Sequence, residues 1–221
     1  MAKQESRTVL YEQLARVGKA LGNGKRLELI ELLVQGPRGV VELAETAGLN
    51  VTTTSAHLQT LKNVGLVATD RAGTTIRYRV SGGDVAALYG QLLDVAAAHS
   101  GDVEATARRY LGPEDIEHIG RQELLRRVDA GEAVVLDVRP TLEYEAGHIP
   151  GAISIPLDEL AERLGELPAD LGVVAYCRGA YCVFSHDAVR FLTAHGRRAV
   201  RLDEGIVEWQ ASGQPLSAGA R

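Results

Sequence analysis

Two cysteines, Cys177 and Cys182, are the only thiols in the 221 residues, and they close the two ends of one short segment, Cys177-Arg178-Gly179-Ala180-Tyr181-Cys182. The apolar run Val173-Val174-Ala175-Tyr176 leads into it, and an amphipathic pattern through Ala188, Val189, Phe191 and Leu192 follows. That order predicts a strand, a tight loop and a helix N-terminus, which together present amide groups and a positive dipole end to an anion or a thiolate. The thiolate is the nucleophilic form of cysteine, and Arg178 adds a positive neighbour that favours it. Cys177 is therefore expected to be reactive. Two readings stay open for Cys182: a second thiol that resolves a persulfide or sulfenate on Cys177, or a small apolar plug that starts the helix.

The bulk composition says what surrounds such a loop. At 45% hydrophobic and 24% charged residues the chain reads as a globular protein, long enough for one large domain or two small ones. No apolar run approaches a membrane span and the first residues lack a signal-peptide core, so a cytoplasmic protein without a membrane partner is expected. In a reducing compartment two cysteines are read as reactive, not as a disulfide scaffold. The net charge of −5 is uneven: residues 1–100 carry 11 basic against 9 acidic side chains, residues 101–221 carry 13 against 20. That asymmetry suits a chain whose front part alone meets a polyanion.

The elements of the front part fit this. Residues 6–22 place Val9, Leu10, Leu14, Val17 and Leu21 on one helical stripe, and residues 25–35 begin a second helix after Asn23-Gly24. Gly36-Pro37-Arg38-Gly39 reads as a turn, and a short helix with Val40, Val41, Leu43 and Ala44 follows. Gly48-Leu49-Asn50 then turns into a helix over residues 51–64, with Leu58 and Leu61 inward and a start crowded with hydroxyls. Thr53, Thr54, Ser55, His57 and Gln59 are the candidates for phosphates and base edges in a major groove. An alternating segment over residues 66–80, turning at Ala72-Gly73, predicts a hairpin whose Arg71, Arg77 and Arg79 meet phosphates or the minor groove. Helix, turn, helix and basic hairpin make a winged helix-turn-helix.

Ser55-Ala56-His57-Leu58-Gln59-Thr60-Leu61-Lys62-Asn63-Val64-Gly65-Leu66-Val67, with Glu42-Leu43-Ala44 before it and Tyr78-Arg79-Val80 after it, resembles the ArsR family of bacterial repressors over about residues 8–100. The resemblance implies a homodimer on double-stranded operator DNA, built from the first and last helices of this region. The last helix is expected over residues 84–99, with Val85, Leu88, Leu92 and Val95 as its seam. Many ArsR proteins bind metals through cysteines near the helix-turn-helix or through acidic and His ligands on the last helix. Here no cysteine precedes Cys177, Ala86 stands where the zinc-type pattern has His, and His99 and Asp102 lie too far from Asp84, so no metal is expected.

Beyond a polar junction with breaks at Gly101, Gly112 and Pro113, the pattern changes to short apolar strands between helices, which predicts a parallel sheet covered on both faces. Leu136-Asp137-Val138-Arg139-Pro140, then Glu143-Tyr144-Glu145-Ala146-Gly147-His148-Ile149-Pro150-Gly151-Ala152, the cysteine loop, and Gly205-Ile206-Val207-Glu208-Trp209 resemble a rhodanese domain over about residues 118–217. The resemblance implies that Cys177 attacks a sulfane-sulfur donor and carries the persulfide. It also implies that the amides of the loop, through Arg178, Gly179, Ala180 and Tyr181, cradle that sulfur. Asp137 and Arg139 are expected in support, paired with each other or with the loop, and His148 as part of a fold signature. The departure is Cys182, where single-domain sulfurtransferases often have Arg or Thr. Phosphatases of this fold close a longer loop with Arg where Val183 stands here, so phosphoryl chemistry is set aside for want of its clamp.

The expected architecture is an α+β winged helix-turn-helix domain over residues 1–100, a linker over 101–117, and an α/β rhodanese-like domain with a central parallel sheet over 118–221. The expected function is a dimeric transcription regulator, a repressor, that senses a small sulfur donor or an oxidant through Cys177, without a cofactor. The alternative is a thiosulfate or polysulfide sulfurtransferase that carries a DNA-binding domain. A third reading makes the second half a protein-interaction module only.

Overall fold

The computed structural model describes residues 2–113 and 115–219. It divides after Tyr89 into two compact units.

In the first unit, helix α1 (Ala2–Leu21) precedes α2 (Gly24–Val34), whose start is capped by the Asn23 side chain accepting from the Arg26 amide at 3.1 Å. A two-residue strand, β1 (Arg38–Gly39), leads into α3 (Val40–Thr46) and then α4 (Val51–Asn63). The chain turns between α3 and α4 at Gly48, whose φ of 62° is a left-handed conformation open to glycine. Strands β2 (Val67–Ala72) and β3 (Thr75–Val80) complete an antiparallel sheet of order β1-β3-β2. Leu29, Ile30 and Leu33 of α2, Leu43 of α3, and Leu58 and Leu61 of α4 are buried together with Leu66 and Val67.

Two local expectations are corrected here. Arg38-Gly39 is not just turn: it pairs with Tyr78 and Arg77 as a third strand, and a two-residue strand is too short to show alternation. The hairpin turns at Gly73-Thr74, one residue later than expected, because Ala72 is still paired with Thr75 and the positive φ falls on Gly73.

Helix α5 (Gly83–His99) crosses the division, and α6 (Gly101–Leu111) follows within the stretch that reads as a junction in the sequence. Among the described residues no helix is long and apolar enough to cross a membrane.

The second unit then alternates. Strand β4 (His118–Ile119), α7 (Arg121–Asp129), β5 (Ala133–Asp137), α8 (Thr141–Ala146) and β6 (Ile153–Ser154) come first. They are followed by α9 (Leu160–Arg163) between two 3-10 turns, β7 (Gly172–Tyr176), α10 (Val183–Ala194), β8 (Ala199–Leu202) and α11 (Ile206–Ala211). The five strands pair in parallel in the order β4-β8-β7-β5-β6. Successive residues of β7 feed opposite faces: Val174 and Tyr176 join a core with Val135, Leu202 and Trp209, and Val173 and Ala175 join one with Leu136, Val189 and Leu192. This two-sided burial is why the strands read as continuous apolar runs. The central strand β7 ends at Tyr176, so Cys177 emerges at the carboxyl edge of the sheet, where ligands of α/β folds bind.

Candidate functional site

The Cys177 and Cys182 sulfurs are bonded to each other at 2.12 Å, with their Cα atoms 6.1 Å apart. Cys182 is the N-cap of α10, so the bond places the Cys177 sulfur at that helix N-terminus. Cys182 thus reaches its neighbour, which the apolar-plug reading did not require. Both are buried, Cys177 at 1% exposure and Cys182 at 9%. In this oxidised form neither is a free nucleophile.

The loop is held from three sides. Below it, Gly205 packs so closely that a Cβ would stand 2.5 Å from the Cys177 carbonyl oxygen and press into the Gly179 nitrogen. The next two amides, of Ile206 and Val207, donate to the carbonyls of Cys177 and Arg178 at 3.2 and 3.0 Å. The Glu208 carboxylate accepts from the Ala180 amide at 3.1 Å and from the Gly205 amide at 2.7 Å. Burial raises the Glu208 pKa above the ordinary carboxylate value, with those two amides acting the other way.

On the second side, Arg178 is held by a carboxylate of α8. Its guanidinium takes both oxygens of Glu143 at 2.6–3.0 Å, and Glu143 is 1% exposed. Two expectations for an anion cradle are therefore corrected: the Arg178 charge is matched by a buried carboxylate, and the Ala180 amide is already bonded. Gly179 packs against Glu208 and accepts from the Cys182 amide at 3.1 Å. Tyr181 faces a small cavity beside α10, and burial raises its pKa.

The third support is the pair expected from the sequence. Asp137 and Arg139 are fully buried and joined at 2.6–3.2 Å, and Arg139 also donates to the Gly147 carbonyl at 2.8 Å. Burial alone lowers the Arg139 pKa, but the Asp137 carboxylate overrides it and the group is held above the ordinary arginine value. Tyr176, immediately before Cys177, donates its hydroxyl to Asp137 and accepts from the Ile149 amide at 3.1 Å. Burial, and then the Asp137 charge, push the Tyr176 hydroxyl far above its ordinary pKa. The pair thus braces the ends of β5 and β7 and the Gly147–Ile149 segment. His148 stacks on Tyr144 at 3.7 Å and bonds the Tyr144 carbonyl, as a fold element.

In the first unit the candidate nucleic-acid residues separate by helical phase. Asn50 caps α4, accepting from the Thr53 amide at 2.8 Å. Thr54 is a correction: it is 0% exposed and its hydroxyl donates to the Asn50 carbonyl at 3.0 Å, because it lies one turn before Leu58 on the inward stripe. Ser55 and Gln59 are exposed, while Thr53 and His57 are half-buried at the edge of the face. Thr52, Ala56 and Asn63 complete an exposed stripe with them, and Gln59 donates to Asn63 at 2.8 Å. Ala56 and Asn63 were missed as candidates, although counting by three and four from Gln59 finds them, and Thr52 belongs to the hydroxyl-rich start of the helix without having been singled out.

On the hairpin, the pairing Asp70↔Arg77 and Ala68↔Arg79 puts Arg77 and Arg79 on one face, and Arg71↔Ile76 puts Arg71 on the other. Arg77 is exposed, whereas Arg79 is tied to Asp70 at 2.6 Å and to the Val80 and Ser81 carbonyls. Among the described residues no three His, Cys, Asp or Glu side chains gather to hold a metal ion.

Residues 23–69 match the bacterial regulatory protein, arsR family, and residues 120–212 match the rhodanese-like domain. The chain is 53% identical over 222 aligned positions to the HTH-type transcriptional regulator Rv0324 of Mycobacterium tuberculosis, covering 100% of this chain and 97% of that one. A sulfurtransferase of Allochromatium vinosum is 31% identical over 105 residues, 47% of this chain and 96% of its own. Among solved structures, the homodimeric winged helix-turn-helix DNA-binding domain (fragment 1–100) of Mb0332 from Mycobacterium bovis is 48% identical over 43% of this chain and 89% of that one, with a TM-score of 0.41. The winged helix, the parallel sheet and a relative matched from end to end agree: the chain belongs to the arsR family of HTH-type transcriptional regulators and carries a C-terminal rhodanese-like domain.

Proposed function

We propose that this chain is a dimeric, DNA-binding repressor whose first hundred residues bind an operator and whose rhodanese-like domain receives sulfane sulfur or an oxidant at Cys177. The observation that carries the proposal is the bond between Cys177 and Cys182 at the end of β7, in a chain of a regulator family.

Reduced Cys177 attacks the terminal sulfane sulfur of a polysulfide as a thiolate, forming a Cys177 persulfide and releasing the shortened polysulfide as the leaving group. Cys182, as a thiolate, then attacks the inner sulfur and expels hydrosulfide. The net change oxidises two thiols to one disulfide and reduces one sulfane sulfur to sulfide. An oxidant such as a peroxide reaches the same disulfide through a sulfenic acid on Cys177, with water as the leaving group.

A receiver needs to react only once, and the site supports that use over rapid turnover. Arg178 is neutralised by Glu143 and the Ala180 amide is held by Glu208, so an anionic donor such as thiosulfate lacks two of the groups that would clamp it. The surface of α1 supports dimerisation: Val9, Leu10, Tyr11 and Leu14 all stand exposed on this one helix. On α5, Leu88 and Val95 are exposed as well. On α4, Thr52, Ser55 and Gln59 form the face offered to base edges, with Arg71 and Arg77 for phosphates.

The test is a gel shift on DNA selected from a random pool by the reduced full-length protein. Tetrasulfide is expected to weaken wild-type binding at least tenfold and to leave Cys177→Ser unaffected. Release of DNA from Cys177→Ser by tetrasulfide overturns the sensing assignment.

A further inference from the structure

Beside the cysteine loop, wholly within the second unit, lies a cavity of about 230 Å³ that no step of the sulfur chemistry uses. Its apolar walls come from Ala107 and Leu111 of α6 and from Ile116, and its polar end from Tyr181, His186 and Arg201. His186 is 8% exposed, and neither of its ring nitrogens has a hydrogen-bond partner among the described residues. The Nε of Arg201 is buried and equally without one, since the rest of that guanidinium bonds Asp203 and the Leu202 carbonyl. Buried donors without acceptors are costly and rare in folded proteins, and two of them converge on one small space here. Among the described residues that line it, the charged ones are Glu104, Arg108 and Arg201, with His118 also at the wall, and Glu104 is paired with Arg108 at 2.5 Å.

We propose that this cavity is a binding site for a small organic monocarboxylate. The two carboxylate oxygens take the Arg201 Nε–H and a His186 N–H, and an apolar body lies along Ala107, Leu111 and Ile116. The volume falls below the range of about 300–1,000 Å³ typical of drug-sized ligands, which restricts the occupant to a single ring or a short chain. An inorganic anion would leave the apolar end empty, and a neutral amide lacks the charge that strengthens a hydrogen bond from the Arg201 guanidinium. The occupant touches Tyr181, next to Cys182, so the site borders the loop without including either sulfur.

Benzoate, butyrate, benzamide and inorganic phosphate, titrated into the reduced full-length protein, test the site by NMR. Benzoate or butyrate is expected to shift the His186 imidazole and Tyr181 ring signals saturably, with benzamide and phosphate at least tenfold weaker. Ala107→Leu fills the cavity from the face of α6 without removing a polar group, and is expected to weaken carboxylate binding at least tenfold. Cys177→Ser is expected to bind benzoate like the wild type, which separates this site from the sulfur chemistry. The proposal is overturned if neither carboxylate gives saturable shifts at His186, if benzamide or phosphate binds as well, or if Ala107→Leu retains wild-type affinity.

Discussion

The backbone of Gly205 touches the carbonyl of Cys177 so closely that no side chain fits between them: a Cβ would lie 2.5 Å from that oxygen. Its φ of −119° is open to any residue, so the requirement is for space and not for conformation. The helix start at Gly205 and the cysteine loop therefore form one packed unit, closed by the Ile206 and Val207 amides on the loop carbonyls.

Gly205→Ala is accordingly expected to push the loop off the helix and to destabilise the second domain by about 1–3 kcal/mol, the usual cost of overpacking. Tetrasulfide should then form the Cys177–Cys182 bond several-fold more slowly, as followed by loss of free thiol. Unchanged kinetics in Gly205→Ala would show that the packing does not position the thiols.

Glu143→Gln is expected to set the Arg178 charge free beside the loop. Because the pair is bidentate and Glu143 is buried, the substitution should cost about 3 kcal/mol. It should also raise the rate at which reduced Cys177 is alkylated by iodoacetamide at pH 7, since an unpaired cation favours the thiolate. A slower or equal rate in the folded variant would count against the neutralising role of Glu143.

On the DNA side, the burial of Thr54 separates two effects that the sequence merges. Thr54→Ala should lower stability by about 1 kcal/mol through the lost bond to Asn50 and leave operator affinity unchanged. Gln59→Ala, on the exposed stripe, should do the reverse, weakening binding with little change in thermal midpoint. Arg77→Ala should weaken binding to all sequences and reduce the salt dependence by about one counterion. Arg79→Ala should do less, because Asp70 already holds that charge. Equal losses of affinity at Thr54 and Gln59 would refute the assigned face of α4.

Both folds were legible because their signals are periodic or sequential. The alternation in residues 66–80, the Leu58 and Leu61 spacing and the uninterrupted apolar run of β7 each leave a pattern that one strand or helix carries by itself. The site was legible only in part. Cys177 and Cys182 stand out by scarcity, but the fate of Arg178 depends on Glu143, 35 positions away, and the Ala180 amide on Glu208, 28 positions away. Such pairings follow from the sheet order, not from local spacing. Gly205 and Glu208 were visible as parts of a motif, yet what they do needs the loop beside them. Thr54 was misplaced for a simpler reason: its hydroxyl suits DNA, and helical phase outweighs residue type.

Burial, with the nearby charges of Arg201 and Arg190, lowers the His186 pKa from about 6.5 in an exposed chain to about 4. The folded protein keeps this imidazole neutral where the unfolded chain protonates it, so the unfolded state binds more protons between those values. The contribution of His186 to stability is therefore fully present above about pH 6.5 and is lost progressively as the pH falls toward 4. Thermal unfolding of the reduced full-length protein at pH 7, 6, 5 and 4.5 should show the midpoint of the second domain falling across that range. His186→Gln, which cannot titrate, should flatten part of that fall. Carboxylates add to the lower end of this window: Glu123, held near 2 by Arg126 and Arg127, and Asp115, lowered by Arg190, stay ionised in the folded protein while the unfolded chain begins to protonate them. Glu208, raised by burial, acts the opposite way, so only the difference between wild type and His186→Gln reports on His186. A slope between pH 6.5 and 4.5 identical in wild type and His186→Gln would place the acid sensitivity elsewhere in the fold.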